Sequence, residues 1–391
     1  MNYILFDGPY RNNLLPFTFT RPVADIRIGI LTIREKWEAH LGYTTTTITE
    51  DYLSDKFPMV EMEENILINA SFLPNVELVE MVKNLEENQA IFKGEEVIAF
   101  YTKEAQDDID FSKLEALEFE DDILKIEHTW DIFSKNGEAL QDDFDLLTKG
   151  RRSQPIPATN NVLNPENIFI EEGASLNFTT LNASTGPIYI GKNAEIMEGS
   201  IIRGPFALCE GSTVKLAAKI YGPTTVGPYS KVGGEVSNSV IFGYSNKGHD
   251  GFLGNSVLGE WCNLGADTNN SNLKNNYAEV RLWDYNTGGF ARTGLQFCGL
   301  MMGDHSKCGI NTMFNTGTVV GVSANIFGSG FPRNFVPSFS WGGSAGFTEY
   351  LTSKAFEVAK VVMSRRSMEF SEQDAAILSY VFEETKKYRR Y

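Results

Sequence analysis

Residues 190–233 read IGKNAEIMEGSIIRGPFALCEGSTVKLAAKIYGPTTVGPYSKVG. An aliphatic residue occupies every sixth position of this stretch: Ile190, Ile196, Ile202, Leu208, Val214, Ile220, Val226 and Val232. A small residue follows four positions after most of them, as at Ala194 and Ser200. Neither a helix nor an alternating strand has a period of six. The pattern therefore predicts a solenoid in which each hexapeptide forms one short strand and one turn.

The repeat continues toward the C-terminus with interruptions. We expect it to resume at Val240, to lapse at Asn246 and to return at Phe252. Further aliphatic or bulky positions follow at Leu258 and Leu264 and, after an insertion, at Met302, Cys308, Phe314, Val320 and Ile326. A solenoid accommodates a protruding loop by such a shift of phase followed by resumption. Stacked coils would bury the repeated aliphatic side chains in one continuous core.

Hexapeptide repeats of this kind resemble those of the left-handed parallel β-helix family. The resemblance, and not the period, implies left-handed coils, which are an exception to the usual right-handed crossover. Members of that family are typically trimers, so the resemblance also implies a homotrimer.

The flanking segments have other patterns. Before the repeat, short apolar runs alternate with helix-like stretches, which favours a small α/β domain. The acidic run from residue 104 to 147 is expected to be a connector facing water, and Pro155 and Pro157 mark a linker. After the repeat, helical spacing returns, with Ser371 as a predicted N-cap. We predict an α/β domain with its connector at residues 1–154, the β-helix at 155–347 and a helical tail at 348–391.

Composition excludes several classes of function. A chain of 391 residues with a formal net charge of -17 lacks the clustered cations that neutralise nucleic-acid phosphates. No apolar run is long enough for a signal peptide or a membrane span, so we expect a cytoplasmic protein with no membrane partner. The four cysteines contain no CxxC pair and are expected to be buried thiols.

His249 is the strongest catalytic candidate among the four histidines. It lies in Asn246-Lys247-Gly248-His249-Asp250-Gly251, where the aliphatic repeat lapses and a core position goes to polar residues. Histidine is the most common general base in enzymes. The alternative from the residues alone is an ordinary histidine in a turn, which is the reading we favour for His305.

The ordered segment from Gly248-His249 through Asn263-Leu264-Gly265-Ala266 to Asn272 resembles the acetyltransferase half of the bifunctional GlmU family. The resemblance implies transfer of an acetyl group from acetyl-CoA to the amino group of an amino-sugar phosphate such as glucosamine 1-phosphate. His249 would be the general base, Asn263 would position the sugar or acyl carbonyl, Ala266 would offer backbone contact to coenzyme A, and Asn272 would hold the sugar phosphate region. We expect Lys231 and Glu235 to reach the same groove.

The chain departs from the family where the sugar phosphate would be gripped. The family's basic turn is replaced by Cys209-Glu210-Gly211, and Leu273 stands where an aromatic residue is usual. Candidates to replace the missing positive charge are Lys274, Arg203, Lys215 and Lys247. The sequence therefore does not determine the identity of the acceptor sugar.

The N-terminal segment from Leu5 to Val23 resembles the opening signature of sugar-1-phosphate nucleotidyltransferases. The resemblance assigns nucleotide phosphates to Gly8, Arg11 and Arg21. Val23 replaces the expected lysine, and Asn69-Ala70 replaces the Gly-Asp that would hold Mg²⁺. Asp7 could supply a carboxylate only if the geometry were rearranged. We expect a nucleotidyltransferase-like fold with damaged chemistry and no metal site.

Two alternatives to acetyl transfer remain. The first is uridylyl or thymidylyl transfer in the N-terminal domain, with the β-helix as a platform for oligomerisation. The second is a non-catalytic scaffold that binds a sugar nucleotide. A β-helix carbonic anhydrase would need three metal-binding histidines, and only His249 and His305 lie in the repeat.

Overall fold

A computed structural model describes residues 1–103 and 110–391 of the chain. It shows an α/β domain, a parallel β-solenoid and a pair of C-terminal helices, which confirms the expected fold class. Gln106-Asp107-Asp108 of the predicted connector lie outside the described residues.

The N-terminal domain is built on one mixed sheet of six strands in the order β2-β1-β3-β5-β4-β6. Its strands are β1 (Asn2–Phe6), β2 (Thr46–Ile48), β3 (Asn65–Asn69), β4 (Gln89–Lys93), β5 (Glu96–Thr102) and β6 (Glu115–Glu118). Strands β1, β2 and β3 pair in parallel, whereas β5 pairs antiparallel with both β3 and β4. The apolar runs in the sequence predicted β1, β3 and β5.

Five α-helices accompany this sheet. They are α1 (Ile33–Leu41), α2 (Asp51–Ser54), α3 (Val76–Lys83), α4 (Asp131–Ser134) and α5 (Asn136–Thr148). Short 3₁₀ turns occupy Arg11–Leu14, Phe17–Phe19, Val23–Asp25, Phe111–Lys113, Pro165–Asn167 and Thr385–Tyr388. Helix α1 begins with a capping box in which Thr32 and Glu35 exchange side-chain and backbone hydrogen bonds, and such a pair satisfies two donors at the helix end.

The acidic connector is less solvated than its charge predicts. Helix α5 buries Leu140, and the Asp143 carboxylate, only 2% exposed, forms an ion pair with Lys36. Asp143 also accepts hydrogen bonds from the backbone N–H groups of Ile30 and Leu31. A buried carboxylate needs such partners, and they come from residues more than a hundred positions away, which a local reading of charge could not identify.

The solenoid winds around three parallel sheets, here called face 1, face 2 and face 3. Face 1 contains Asn161–Leu163, Thr180–Asn182, Ile201–Arg203, Lys219–Tyr221, Glu235–Ser237 and Phe252–Gly254, and the pair Asn269–Asn270 and Met313–Phe314 lies beyond them. Face 2 contains Ile168–Ile170, Ile188–Ile190, Phe206–Leu208, Thr224–Val226, Val240–Gly243, Val257–Glu260, Leu300–Met302, Thr318–Val320 and Phe335–Val336. Face 3 contains Ser175–Leu176, Glu195–Ile196, Thr213–Val214, Lys231–Val232, Asn246–Lys247, Asn263–Leu264, Lys307–Cys308, Asn325–Ile326, Ser340–Gly343 and the antiparallel Gly346–Glu349.

All eight aliphatic residues of the uninterrupted repeat are buried in the solenoid core, at most 2% exposed. The register then departs from the predicted phase by one residue. Val226 pairs with Ile241, Val232 with Lys247 and Val236 with Leu253. The inward positions are thus Ile241, Lys247 and Leu253, and not Val240, Asn246 and Phe252. Two shortened steps cause this shift: the corner at Gly233-Gly234 brings Val236 inward four residues after Val232, and Ile241 follows Val236 after five.

The predicted insertion is a β-hairpin of Arg281–Asp284 with Gly289–Arg292. The hairpin reaches the N-terminal domain, since Asn286 Nδ2 donates to Asn13 Oδ1 at 2.6 Å. The tail forms α6 (Thr352–Ser364) and α7 (Glu372–Glu384). Ser371 caps α7 in a capping box with Asp374, as the sequence predicted.

Two of the three solenoid faces are covered by the rest of the chain. The N-terminal domain packs on face 2, where Thr225 Oγ1 donates to the Gly29 carbonyl at 2.7 Å and Phe17 contacts Phe242. The tail covers part of face 3, where Arg366 reaches Asn246 Oδ1 at 3.5 Å. Within the described ranges, no helix combines the length and apolarity needed to cross a membrane.

Candidate functional site

His249 lies at the corner where the chain passes from face 3 to face 1. The residue is exposed, and among the described residues none forms a hydrogen bond with its imidazole. The lapse in the repeat thus coincides with an accessible histidine, whose ring is available to a ligand. We refer to Gly248, His249, Asp250 and Gly251 as the His249 turn.

Lys247 anchors this turn from inside the solenoid. Its side chain is 2% exposed and takes the inward position of its coil. The Nζ atom donates a hydrogen bond to the His249 carbonyl at 2.5 Å. Burial lowers the pKa of Lys247 to about 8, against the opposing effect of the Asp250 carboxylate. Lys247 therefore cannot replace the missing surface charge, because its amino group points into the core.

The neighbouring coils pack closely against the His249 turn. A Cβ on Gly234, which has a φ of +71°, would lie 2.8 Å from Asp250 Cα and 2.9 Å from the His249 carbonyl oxygen. On the other side, the Asp267 N–H donates to the Asp250 carbonyl at 3.0 Å. Ala266, the predicted contact for coenzyme A, precedes Asp267 and is half-buried at the same corner. The structure thus brings His249 and Ala266 to neighbouring coils.

Lys231 and Asn263 lie on face 3, in one outward row with Asn246 between them. Burial lowers the pKa of Lys231, and the positive charges of Arg366 and Lys215 act in the same direction. These cations therefore share one region of face 3, next to the corner that carries His249. Asn263 is half-exposed, and no hydrogen bond in the described part of the chain uses its side chain.

Of the other three predicted residues, Glu235 borders this corner, because its N–H donates to the Gly251 carbonyl at 3.1 Å, whereas Asn272 and Lys274 lie away from it. Glu235 is on face 1, where its carboxylate accepts a hydrogen bond from the Tyr221 hydroxyl at 2.5 Å. Asn272 lies past the far end of face 1, where its Nδ2 donates to Asn255 Oδ1 at 2.8 Å. Lys274 belongs to the insertion and donates to the Glu279 carbonyl at 2.8 Å. Within one chain, Asn272 and Lys274 are not at the corner of His249.

Gly8 and Arg11 line an open pocket of about 680 Å³ at the end of strand β1. Tyr380 of the tail helix α7 also lines it and stacks on Tyr52 with ring centroids 3.9 Å apart. Arg11 donates to the Thr18 carbonyl and to the Tyr52 hydroxyl, each at 2.8 Å. The pocket is therefore built from both ends of the chain.

Asp7 is fully engaged in this pocket. One carboxylate oxygen accepts from the Val23 N–H and the other from Thr49 Oγ1, both at 2.6 Å. Burial raises the pKa of Asp7, and these two hydrogen bonds oppose that rise. Asn69 accepts from the Ser71 N–H and donates to the Val97 carbonyl. The carboxylate at the end of β1 is thus already hydrogen-bonded, and Asn69 stands where the family's second metal carboxylate is expected. Glu50 and Asp51 also line the pocket, and Glu50 pairs with Arg11 at 3.5 Å.

Arg21 does not join Gly8 and Arg11. Its guanidinium is 6% exposed and faces the solenoid, where it pairs with Asp304 and, at 3.2 Å, with Glu260. Burial alone would lower the pKa of Arg21, but these two carboxylates outweigh it and raise the pKa. This ion pair is a contact between domains, so nucleotide binding by Arg21 would require it to break.

Arg21 also lines a second cavity, of about 580 Å³, between the N-terminal domain, the solenoid and the tail. His305 and Trp261 line it as well, with their rings stacked 6.3 Å apart. Every cation that lines it, including Arg27, Arg34 and Lys56, has a carboxylate partner. No sequence pattern predicts this cavity, because its walls come from three separate regions of the chain.

Residues 3–152 match the family model described as sugar nucleotidyl transferase. Among curated proteins, the chain is similar to the bifunctional protein GlmU of Methanococcus maripaludis, with 27% identity over 218 residues, 56% of this chain and 46% of that protein. It is 26% identical to GlmU of Methanococcus vannielii over 293 residues, 73% of this chain and 61% of that protein. The chain thus spans about half the length of the curated relatives it matches.

Solved structures of acyltransferases also align with part of the chain. A mutant of AntD, an N-acyltransferase from Bacillus cereus in complex with dTDP and coenzyme A, aligns at 13% identity with a TM-score of 0.23, covering 54% of this chain and 92% of that chain. Arabidopsis UDP-N-acetylglucosamine acyltransferase aligns at 16% identity with a TM-score of 0.22, covering 55% and 80% of the two chains.

Proposed function

The chain fits a GlmU-like family, and from that premise we propose that it transfers an acetyl group from acetyl-CoA to the amino group of an amino-sugar phosphate. The observation that carries the proposal is the accessible His249 at a solenoid corner, with Ala266 on the next coil. Glucosamine 1-phosphate is the acceptor that the resemblance favours.

In the proposed reaction, His249 takes a proton from the sugar ammonium or from the attacking amine. The amine nitrogen forms a bond to the thioester carbonyl carbon, and the carbon–sulfur bond then breaks. The products are an amide on the sugar and the free thiol of coenzyme A. General-base assistance of this kind contributes roughly 10²–10⁴-fold to a rate.

The cations near the corner support an anionic ligand. Burial lowers the pKa of Lys231, and the nearby positive charges of Arg366, Lys215 and Arg365 lower it further. Coenzyme A and a sugar phosphate both carry phosphate groups, which such cations bind. These residues lie on the side of face 3 next to His249, so they offer the positive charge that the turn at Cys209-Glu210-Gly211 lacks.

Face 1 supports the expected homotrimer. It is the solenoid face that neither the N-terminal domain nor the tail covers in the described contacts, and it exposes Leu163, Ile201 and Tyr221 by 53%, 54% and 39%. An exposed apolar patch of this kind marks an interaction surface. A neighbouring subunit packed on face 1 would place its own residues beside His249, so that Asn272 or Lys274 of one subunit could complement His249 of another.

The reaction can be tested with the purified chain, acetyl-CoA and a panel of amino sugars with and without a 1-phosphate. We expect release of free thiol together with an acetylated product of matching mass, fastest with the phosphorylated acceptor. Absence of the acetylated product across the panel would contradict the proposal.

A second candidate is sugar-1-phosphate nucleotidyl transfer in the N-terminal domain, which the family model matching residues 3–152 favours. The geometry opposes it, since Arg11 and Arg21 both have carboxylate partners within the protein and Asp7 already accepts two hydrogen bonds. Release of pyrophosphate from UTP or dTTP with a sugar 1-phosphate, lost in Arg11→Met, would support this activity. Binding of a sugar nucleotide without thiol or pyrophosphate release would instead favour a scaffold.

A further inference from the structure

Lys247 occupies a position that the solenoid normally gives to an aliphatic side chain. Its register partner one coil below is Val232, and the inward position of the next coil is Leu264, both at most 2% exposed. Taking an ammonium group out of water is costly unless it gains strong partners. A methionine or leucine would fill the same space without that cost.

The contacts of Lys247 show where its amino group is used. Its Nζ donates to the carbonyl oxygen of His249 at 2.5 Å. The carboxylates of Asp250 and Asp267 and the thiol of Cys308 are the charged or titratable groups that face it. Both carboxylates belong to the same corner as the His249 turn. The Lys247 ammonium group is therefore directed at the backbone of a residue whose imidazole is exposed.

Three backbone carbonyls of the His249 turn accept described hydrogen bonds, and only the carbonyl of His249 is held by a side chain. The Asp250 and Gly251 carbonyls accept from Asp267 and Glu235, respectively. The His249 carbonyl accepts from Lys247. Removing the amino group would leave that carbonyl without its partner. The backbone segment that carries the imidazole would then be held less firmly.

We propose that Lys247 is a positioning residue that fixes the backbone of His249 from inside the solenoid and so aims the imidazole at the acceptor amine. The inference rests on the proposed function, in which His249 is the general base. It also gives a physical reason for the lapse in the repeat: one core position is given up to hold the turn.

The test compares Lys247→Met with Lys307→Met. Lys307 is a matched control because its Nζ donates to the carbonyl of His305, two residues away, at 2.9 Å. Burial lowers the pKa of Lys307 to about 8, as it does for Lys247. In Lys247→Met, we expect kcat for acetyl transfer to fall at least tenfold, KM for acetyl-CoA to change less than twofold and the melting temperature to be preserved. The amide hydrogens of Glu235 and Asp267, which are donated to the Gly251 and Asp250 carbonyls of the turn, should exchange at least tenfold faster. Lys307→Met should change neither kcat nor this exchange.

Three outcomes distinguish the positioning role of Lys247 from the proposed acetyl transfer by His249. If His249→Asn is inactive while Lys247→Met keeps full kcat or normal amide exchange at Glu235 and Asp267, the positioning role is wrong and the proposed function survives. If His249→Asn keeps the wild-type rate, the proposed function and the positioning role both fall. A Lys247→Met protein that loses kcat only in proportion to a lost folded fraction, measured by circular dichroism, would also overturn the positioning role.

Discussion

At the scale of single residues, the two histidines of the solenoid have opposite environments. His249 is exposed, whereas His305 stacks on Trp261 and its Nδ1 atom is buried with no hydrogen-bond partner. Burial lowers the pKa of His305 to about 3, and the nearby charge of Lys307 acts in the same direction. An exposed ring can exchange protons with a ligand, whereas the buried ring is held neutral.

The burial of His305 predicts a dependence of stability on pH. An unfolded histidine takes up a proton as the pH falls through about 6.5, but folded His305 stays neutral down to about pH 3. The folded state therefore loses stability between those values, by on the order of 1 to 2 kcal/mol at pH 5. Urea unfolding at pH 7 and pH 5 should show this loss in the wild type and a smaller loss in His305→Asn. The same substitution at exposed His249 is the control, and parallel losses in all three proteins would contradict the assignment.

At the level of residues, a local signal in the sequence identified a segment for study, and the catalytic role of its histidine stays a prediction. The missing aliphatic residue drew attention to the segment of His249, and the structure places that residue at an accessible corner. The partners of Arg21 could not be predicted, because Asp304 lies 283 positions away and no local spacing links the two. The contact of Lys274 with the Glu279 carbonyl is local, but a backbone carbonyl is present at every residue, so no residue type signals the contact in the sequence.

At the scale of elements, the corners of the solenoid are as important as its strands. The sequence predicted the stacked coils because the period of six fixes one inward residue per strand. It missed the shift of one residue after Val232, since the short corner at Gly233-Gly234 depends on close backbone approach. A Cβ on Gly233 would lie 2.7 Å from the Gly248 carbonyl oxygen, which makes glycine necessary there.

Two glycines of the His249 turn make a matched pair for testing this corner. Gly251 has a φ of +120°, and an added Cβ would lie 2.2 Å from the Thr268 carbonyl oxygen, whereas a Cβ on Gly248 would meet nothing within 4 Å. We expect Gly251→Ala to lower the free energy of unfolding by at least about 2 kcal/mol, because strain and the clash add. Gly248→Ala should be nearly neutral. Equal effects in a urea titration would show that the turn differs from the one described.

At the scale of the whole molecule, the two ends of the chain meet on one solenoid. The N-terminal domain covers face 2 and the tail covers part of face 3, while Lys56 of the domain pairs with Asp374 of the tail at 2.6 Å. Face 1 stays exposed in the described contacts. The sequence predicted the three parts, but their packing rests on contacts between residues far apart in the chain.

The exposed face predicts an assembly that a single charge should disrupt. In light scattering, the wild type should have the mass of three chains, and Ile201→Glu should shift it toward one chain, because a buried carboxylate without a partner is unfavourable. Val76→Glu, at an exposed apolar residue of the N-terminal domain, is the control for charge alone. A wild-type mass of one chain would contradict the trimer.

Acetyl transfer with His249 as the general base is tested by comparing the rates of two proteins. The rate of thiol release from saturating acetyl-CoA and glucosamine 1-phosphate should be roughly 10²–10⁴-fold lower in His249→Asn than in the wild type, with the folded structure intact. Equal rates in the two proteins, or no acetylated product from the wild type, would contradict the account.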